Sequence, residues 1–410
     1  MRGVHAWCVL LLIGSVRWAE AAPLSEQEAV RLALGRPAVR DVLEGEAGIA
    51  EGKARGAGLW NNPVLSWTRE QTFEKTAGVS EDVVALSQTF DLSGRRGLRS
   101  DAARWKARSA GSRMASWTRD LRTEVRRRFY AVLLGQRRVE AARDLTRRLA
   151  DLSGVVAQRE AAGDISSYDR KRVQREHAGA RSLLDAEMTT LSEDTARLSA
   201  LVGSGIQDGQ EEPMVAGELL PVYPPEPLEP FLDSLKETPA IQALEQEARA
   251  YDLETRAAGR GWVPDLTITA GYKTAAPANG RFHGYVVGAS FPLPFVDSDQ
   301  GAALSGEARA RTIRGRLELE KMEAAGEVTG LWRRSSRLVE AARRYRTDAV
   351  DLAADLVSIA ETAYAGGELG VLELLDAHMG LFEARSRTLD LEWKARQARI
   401  ALDRLAGGDR

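Results

Sequence analysis

Two kinds of hydrophobic pattern divide the chain. Over residues 98–160 apolar side chains return at spacings of three and four: Met114, Trp117, Leu121, Val125, Phe129, Val132, then Val139, Ala142, Leu145, Leu149, Leu152, Val156. That is the stripe of a coiled-coil helix. A second long helical stretch is predicted over 301–363. Elsewhere the period drops to two. On 82–92, Val84, Leu86, Phe90 and Leu92 face one way, and Val83, Ala85, Ser87 and Thr89 the other. On 265–272, Leu266, Ile268, Ala270 and Tyr272 alternate with Thr267 and Thr269; on 283–293, Tyr285, Val287, Ala289, Phe291 and Leu293 share a face. Strand pairs 64–73 with 82–92 and 265–274 with 283–293 follow.

The patterns occur twice. Arg55, Ala57, Gly58, Pro63 and Leu65 recur as Arg256, Ala258, Gly259, Pro264 and Leu266, each shifted by 201. Beyond the second strand the shift becomes 204: Gly97 meets Gly301, Gly163-Asp164-Ile165 meets Gly367-Glu368-Leu369, and Leu201 and Gly203 meet Leu405 and Gly407. Each copy reads as a helix (26–59, 231–260), a strand pair, a long helix, a Gly-containing turn and a returning helix ending near 203 or 407. Residues 22–203 and 231–407 are the expected repeats, and 204–230 a Pro-rich extended connector between them. No proline occurs from Val64 to Glu212 or after Pro294, which permits very long helices. Sixty-three helical residues reach ~95 Å. Gly111, Gly135 and Gly154 are expected to introduce local bends.

Composition agrees with helices more than with a compact enzyme: 6% aromatic and 28% charged residues, net charge −2. No overall charge bias points to nucleic acid. Residues 1–21 read as a secretory signal: Arg2, an apolar run from Ala6 to Val16, and a small-x-small cleavage site at Ala19-Glu20-Ala21. Cys8 is the one cysteine and leaves with the signal, and its surroundings are not those of a lipidation site. No other apolar run is long enough for a membrane helix. An exported chain of this kind can enter a membrane only as a β-barrel. The ~10-residue strands and the aromatics near their ends (Trp60, Trp67, Phe73, Trp262, Phe282, Phe295) fit that reading. They also fit a small soluble sheet capping a helical bundle; the export signal favours the barrel. Four strands cannot close one, so several chains must share it, and three copies bring twelve strands.

The helix ending in GLWNNPVLSW, VALSQTFDLSGRRG before the long helix, and AYAGGELGVLELLDAH at the second turn, all within a duplicated chain, resemble the TolC family of outer-membrane efflux proteins. The likeness spans nearly all of the chain after the signal, and within the family is nearest the outer-membrane components of resistance-nodulation-division pumps. It implies a fold that is mainly α with a transmembrane β-barrel part: a homotrimer with a 12-stranded barrel in outer-membrane lipid and an α-helical periplasmic tunnel. It further implies a periplasmic adaptor and an inner-membrane efflux pump as partners, no cofactor and no catalytic residues. Gly163, Asp164, Gly367 and Glu368 match the adaptor-contacting tip. Glu373 and Asp376 match an acidic ring at the tunnel entrance, and Asp169 and Tyr364 match latch positions. Leu369 stands where the family has a latch arginine, so its bonding scheme does not transfer whole; Arg170 and Arg172 are candidate replacements.

Other chemistry is thin. His177, His283 and His378 are isolated in sequence and no metal motif surrounds them. Arg122, Arg126, Arg127 and Arg128 read as a solvated coiled-coil face. The exit of type I protein secretion, and an exported coiled-coil scaffold that never enters a membrane, remain open alternatives.

Overall fold

The computed structural model describes residues 23–73, 78–203, 215–221, 227–277 and 280–407. The signal reading at 1–21 and most of the connector lie outside them. In chain order the elements are α1 (Glu26–Leu34), α2 (Pro37–Ala57), β1 (Val64–Thr72), β2 (Val79–Phe90), α3 (Arg95–Ala162) and α4 (Ser167–Val202). Then come α5 (Leu228–Ser234), a 3-10 turn (Leu235–Glu237), α6 (Pro239–Ala258), β3 (Leu266–Ala276) and β4 (Phe282–Ser290). The chain closes with α7 (Gln300–Tyr345), a π-helical segment (Arg346–Asp351), α8 (Leu352–Ala365) and α9 (Val371–Ala406).

Three helix expectations need correcting. The helix over 26–59 is two helices, because Gly35 ends α1 and Pro37 starts α2. Proline fits the first turn of a helix, where its missing N–H is not needed. The helix over 231–260 is broken in the same way at Thr238-Pro239. α3 runs through Gly111, Gly135 and Gly154 as one helix of 68 residues, about 100 Å long. Its counterpart is interrupted instead by the π segment, which contains no glycine or proline. Leu92, Phe291 and Leu293 lie just past their strand ends.

The four strands form one antiparallel sheet in the order β1-β2-β3-β4, so the two hairpins join through β2 and β3. The register aligns Leu65, Leu86, Ala270 and Val287 across the sheet, and Trp67, Val84, Tyr272 and Tyr285 beside them. Directly opposed residues share a face. That face is apolar and open, with Val287 73% and Tyr285 86% exposed. The other face carries Ser66, Ser87, Thr89, Thr267, Thr269 and Ser290 in the same registers. Hydroxyl pairs Ser87–Thr269 and Thr89–Thr267, both at 2.8 Å, bridge the joint between the hairpins. Lys273 pairs with Glu81 at 2.5 Å. Apolar on one side and polar on the other is the layout of a membrane barrel wall. Both outer strands, β1 and β4, have one unpaired edge.

The sheet is fastened to the helices where they meet. Arg95 reaches Asp299 at 3.2 Å and Asp265 at 3.4 Å. Arg96 donates to the Gly58 carbonyl at 2.6 Å with its guanidinium 4.0 Å over the Trp60 ring. Below the sheet, α6 packs between α3 and α7, while α3 also contacts α4 and α9. Among the described residues three apolar clusters form along this length, one of them around Ile241, Leu317, Val328 and Leu402 between α6, α7 and α9. A second, around Phe129, Leu133, Leu198 and Ile400, joins α1, α3, α4, α9 and the 215–219 strip. Another fills the far end, around Leu149, Val156, Val173, Tyr364, Leu374 and Leu375.

Candidate functional site at the helix-hairpin ends

Both helical hairpins close at this far end by the same device. Gly163 has φ 85 and Gly367 φ 78, the left-handed region where a Cβ costs roughly 1–2 kcal/mol. Asp164 N–H donates to the Arg159 carbonyl at 2.9 Å, and Glu368 N–H to the Ala363 carbonyl at 2.8 Å. These are equivalent Schellman closures, 204 residues apart. Ile165 and Leu369 both pack on the far apolar cluster, so the two turns lie side by side. Leu369 thus serves apolar packing at the latch arginine's position. Asp164, Gly163, Gly367 and Glu368 are exposed.

The four remaining candidates divide into two kinds. Glu373 and Asp376 are exposed on the first turns of α9, opposite the buried Leu374, Leu375 and His378. Among the described residues neither has an ion-pair partner. Glu373 folds back over the helix start: a Cβ on Gly370 would stand 2.6 Å from its carboxylate. A carboxylate there is favoured by the helix dipole. Asp169 is engaged locally, accepting the Ser166 hydroxyl at 2.7 Å while its own N–H donates to Ser166 at 3.2 Å. Tyr364 is buried, with Arg159 of the first hairpin 4.5 Å over its ring and its hydroxyl without a hydrogen bond. Of the two substitute arginines, Arg170 is committed to Glu160 at 2.5 Å.

Spacing did not disclose the charged layer behind the hairpin ends. Asp144 on α3 accepts from Arg148 at 3.1 Å and from Arg385 on α9 at 2.9 Å. Arg148 also reaches Glu361 on α8 at 3.1 Å. His378, isolated in sequence, is 5% exposed and places Nε2 3.9 Å from Glu361, leaving Nδ1 unbonded. Burial holds its pKa below the ordinary value, reinforced by Arg148 and opposed by Glu361 and Asp144. Among the described residues no group of three or more His, Cys, Asp or Glu is placed to hold a metal ion.

Midway along the helices a second network corrects the reading of the basic run. Arg126 is mostly buried, not solvated: it pairs with Glu26 of α1 and with Asp403 at 3.0 Å. Arg128 pairs with Glu124 along its own helix at 2.7 Å. Arg396 lies 4.2 Å over the Tyr130 ring and donates to the carbonyls of Glu218, Leu219 and Leu220. Burial raises the Tyr130 pKa and lowers that of Arg396. The signal available in the sequence was the unbroken apolar stripe facing Arg126, which requires a neighbour to cover it.

Comparison with known proteins follows the same architecture. The family model described as outer membrane efflux protein matches residues 233–408. The cobalt-zinc-cadmium resistance protein CzcC of Cupriavidus metallidurans is 26% identical over 388 residues, covering 94% of this chain and 91% of its own. The nickel-cobalt-cadmium resistance protein NccC of Alcaligenes xylosoxydans is 25% identical over 328 residues, covering 77% and 71%. The outer membrane protein VceC of Vibrio cholerae shares the fold with TM-score 0.77 at 18% identity, over 93% of this chain and 96% of that one. No described helix is long and apolar enough to cross a membrane. With its open apolar sheet, a helix of about 100 Å and these matches, the chain resembles outer-membrane efflux proteins, by fold over nearly its whole length and by family model over residues 233–408.

Proposed function

We propose that three copies of this chain form a passive exit duct, a twelve-stranded barrel continued by a helical tunnel, fed by an inner-membrane pump through a periplasmic adaptor. The carrying observation is the joint inside the chain. Its two halves meet through β2 with β3, α3 with α6, and α3 with α9. The matching surfaces at the outer ends are bare: the edges of β1 and β4, Val42 and Ile49 on α2, and Leu319 and Met322 on α7. Repeating the internal joint between copies covers all of them and satisfies the edge strands in lipid. Residues 22–203 and 231–407 are then quasi-equivalent wall segments, tied by the 204–230 connector.

The turns at Gly163-Asp164 and Gly367-Glu368 offer exposed backbone and carboxylates to an adaptor. Glu373 and Asp376 repeat as rings of carboxylates at the entrance, with Asp169 and Tyr364 behind them at the hairpin contact. Such rings attract cations. The names of the relatives support divalent transition-metal ions as cargo. Energy comes from the pump; the chain's part is conduction, not catalysis.

The test is purified protein in planar bilayers together with a gene deletion. Expected are trimers with ion conductance, block by divalent cations that weakens in Glu373→Ala with Asp376→Ala, and a deletion strain sensitive to cobalt, zinc or cadmium. A soluble monomer without conductance defeats the duct; unchanged metal tolerance defeats only the cargo assignment.

A further inference from the structure

The two long arms of the chain are built from the same number of residues but wound differently. From Gly97 to Gly163 and from Gly301 to Gly367 the spacing is identical. The first arm is one unbroken α-helix, whereas the second passes through the π segment 346–351. No residue has been inserted, so the same stretch could be wound either way. A π turn is wider than an α turn, so six such residues rotate everything beyond them by on the order of a quarter turn.

Burial differs between the arms as well: Leu152 on α3 is 5% exposed and its counterpart Leu356, on the chain's uncovered end, 51%, with Leu352 and Ile359 exposed beside it, while Val156 and its counterpart Ala360 are both buried. At the head of the π segment Arg346 forms an ion pair with Glu392 of α9, a carboxylate only 4% exposed. The corresponding positions of the first half are Ala142 and Met188, which cannot pair. The pair is therefore peculiar to the arm that carries the π segment. Beside the segment lies an open cavity of about 960 Å³, lined in part by Arg346, Val350 and Asp351 and by Asp144, Arg385 and Glu392.

We infer that residues 346–351 are a winding switch for the entrance, and that the Arg346–Glu392 pair holds the wide winding. It rests on the duct reading above. With the pair intact, α8 and the turn at Gly367 are held in the rotation seen here. With the pair broken, Glu392 loses the guanidinium bonded to it and keeps only the more distant charge of Arg137 against its burial. The wide turn is then free to tighten to α winding. That rotates α8 about its axis, carries Leu352, Leu356 and Ile359 round, and moves Glu373 and Asp376 through the short connection to α9.

The experiment uses full-length trimers with no native cysteine after the signal. Leu356→Cys on α8 and Val155→Cys on α3, both half-exposed, report maleimide labelling rates with and without Arg346→Gln. Glu392→Gln provides a second way of breaking the pair. Single-channel conductance is recorded on the same samples, and retained trimer and helical circular dichroism show that they are folded. Expected is a several-fold change in labelling at position 356, none at 155, and altered open-state conductance in both variants without additivity when they are combined. Unchanged labelling and conductance in folded trimers of both variants would overturn the switch while leaving the duct standing. Wild-type protein without conductance would instead remove the duct reading, and the labelling comparison would still decide whether the segment rewinds.

Discussion

An imidazole enclosed beside Arg148 is costly to protonate, and His378 is placed in that position. Its folded pKa lies below the unfolded value of about 6.5. The unfolded chain therefore binds the extra proton more readily in the window just below that value. Stability is fully present above about pH 6.5 and falls as the pH drops toward the folded pKa. Thermal unfolding followed by circular dichroism is expected to show a lower midpoint at about pH 5.5 than at about pH 7.5. His378→Gln is expected to flatten that slope, and an unchanged slope would place the sensitivity elsewhere. The sequence could not disclose this residue's setting. Its neighbours come from α3 and α8, and spacing along one helix reveals only residues on that helix. Gly163 and Gly367 were legible for the opposite reason, since the left-handed backbone that selects glycine is a local property.

At the scale of elements the strands were read well because a sheet with unlike faces writes a period of two into the chain. The faces assigned from alternation at Val84, Leu86, Tyr272 and Val287 are those brought together by the register. The consequence is asymmetric tolerance. Val287→Arg puts a charge on the open apolar face, a cost of about 2–4 kcal/mol at mid-membrane depth. Thr269→Arg puts the same charge on the polar face. Heat-modifiable trimer in outer-membrane fractions is expected to fall for the first and persist for the second; equal loss in both would deny the faces their assignment. The helix interruptions were less legible. Gly35 and Pro37 announce a break, yet the apolar spacing continues through them. The sequence Arg-Thr-Asp-Ala-Val-Asp at 346–351 contains no residue that forces a wide turn; the cause lies across the packing, at Glu392.

At the scale of the whole molecule, the duplication was visible as offsets of 201 and 204, and it determines more than the fold. A chain whose halves join each other can use the same joint to recruit neighbours. Ile49, half-exposed on α2, sits on the surface that this arrangement covers. Ile49→Glu is expected to reduce trimer yield while leaving helical content unchanged, measured by native mass and circular dichroism. Full trimer yield would remove α2 from the subunit contact. The number of copies was not readable from pattern, because the two open sheet edges say that closure is needed but not how many chains achieve it.

The contrast between the uninterrupted 68-residue α3 and its divided counterpart distributes mechanical compliance around the tube. In a ring of three, every stiff stave stands between jointed ones, so an axial push from a docking partner would be borne by alternate staves while the others yield. Widening of the mouth would then proceed at three equally spaced points and spare the barrel above.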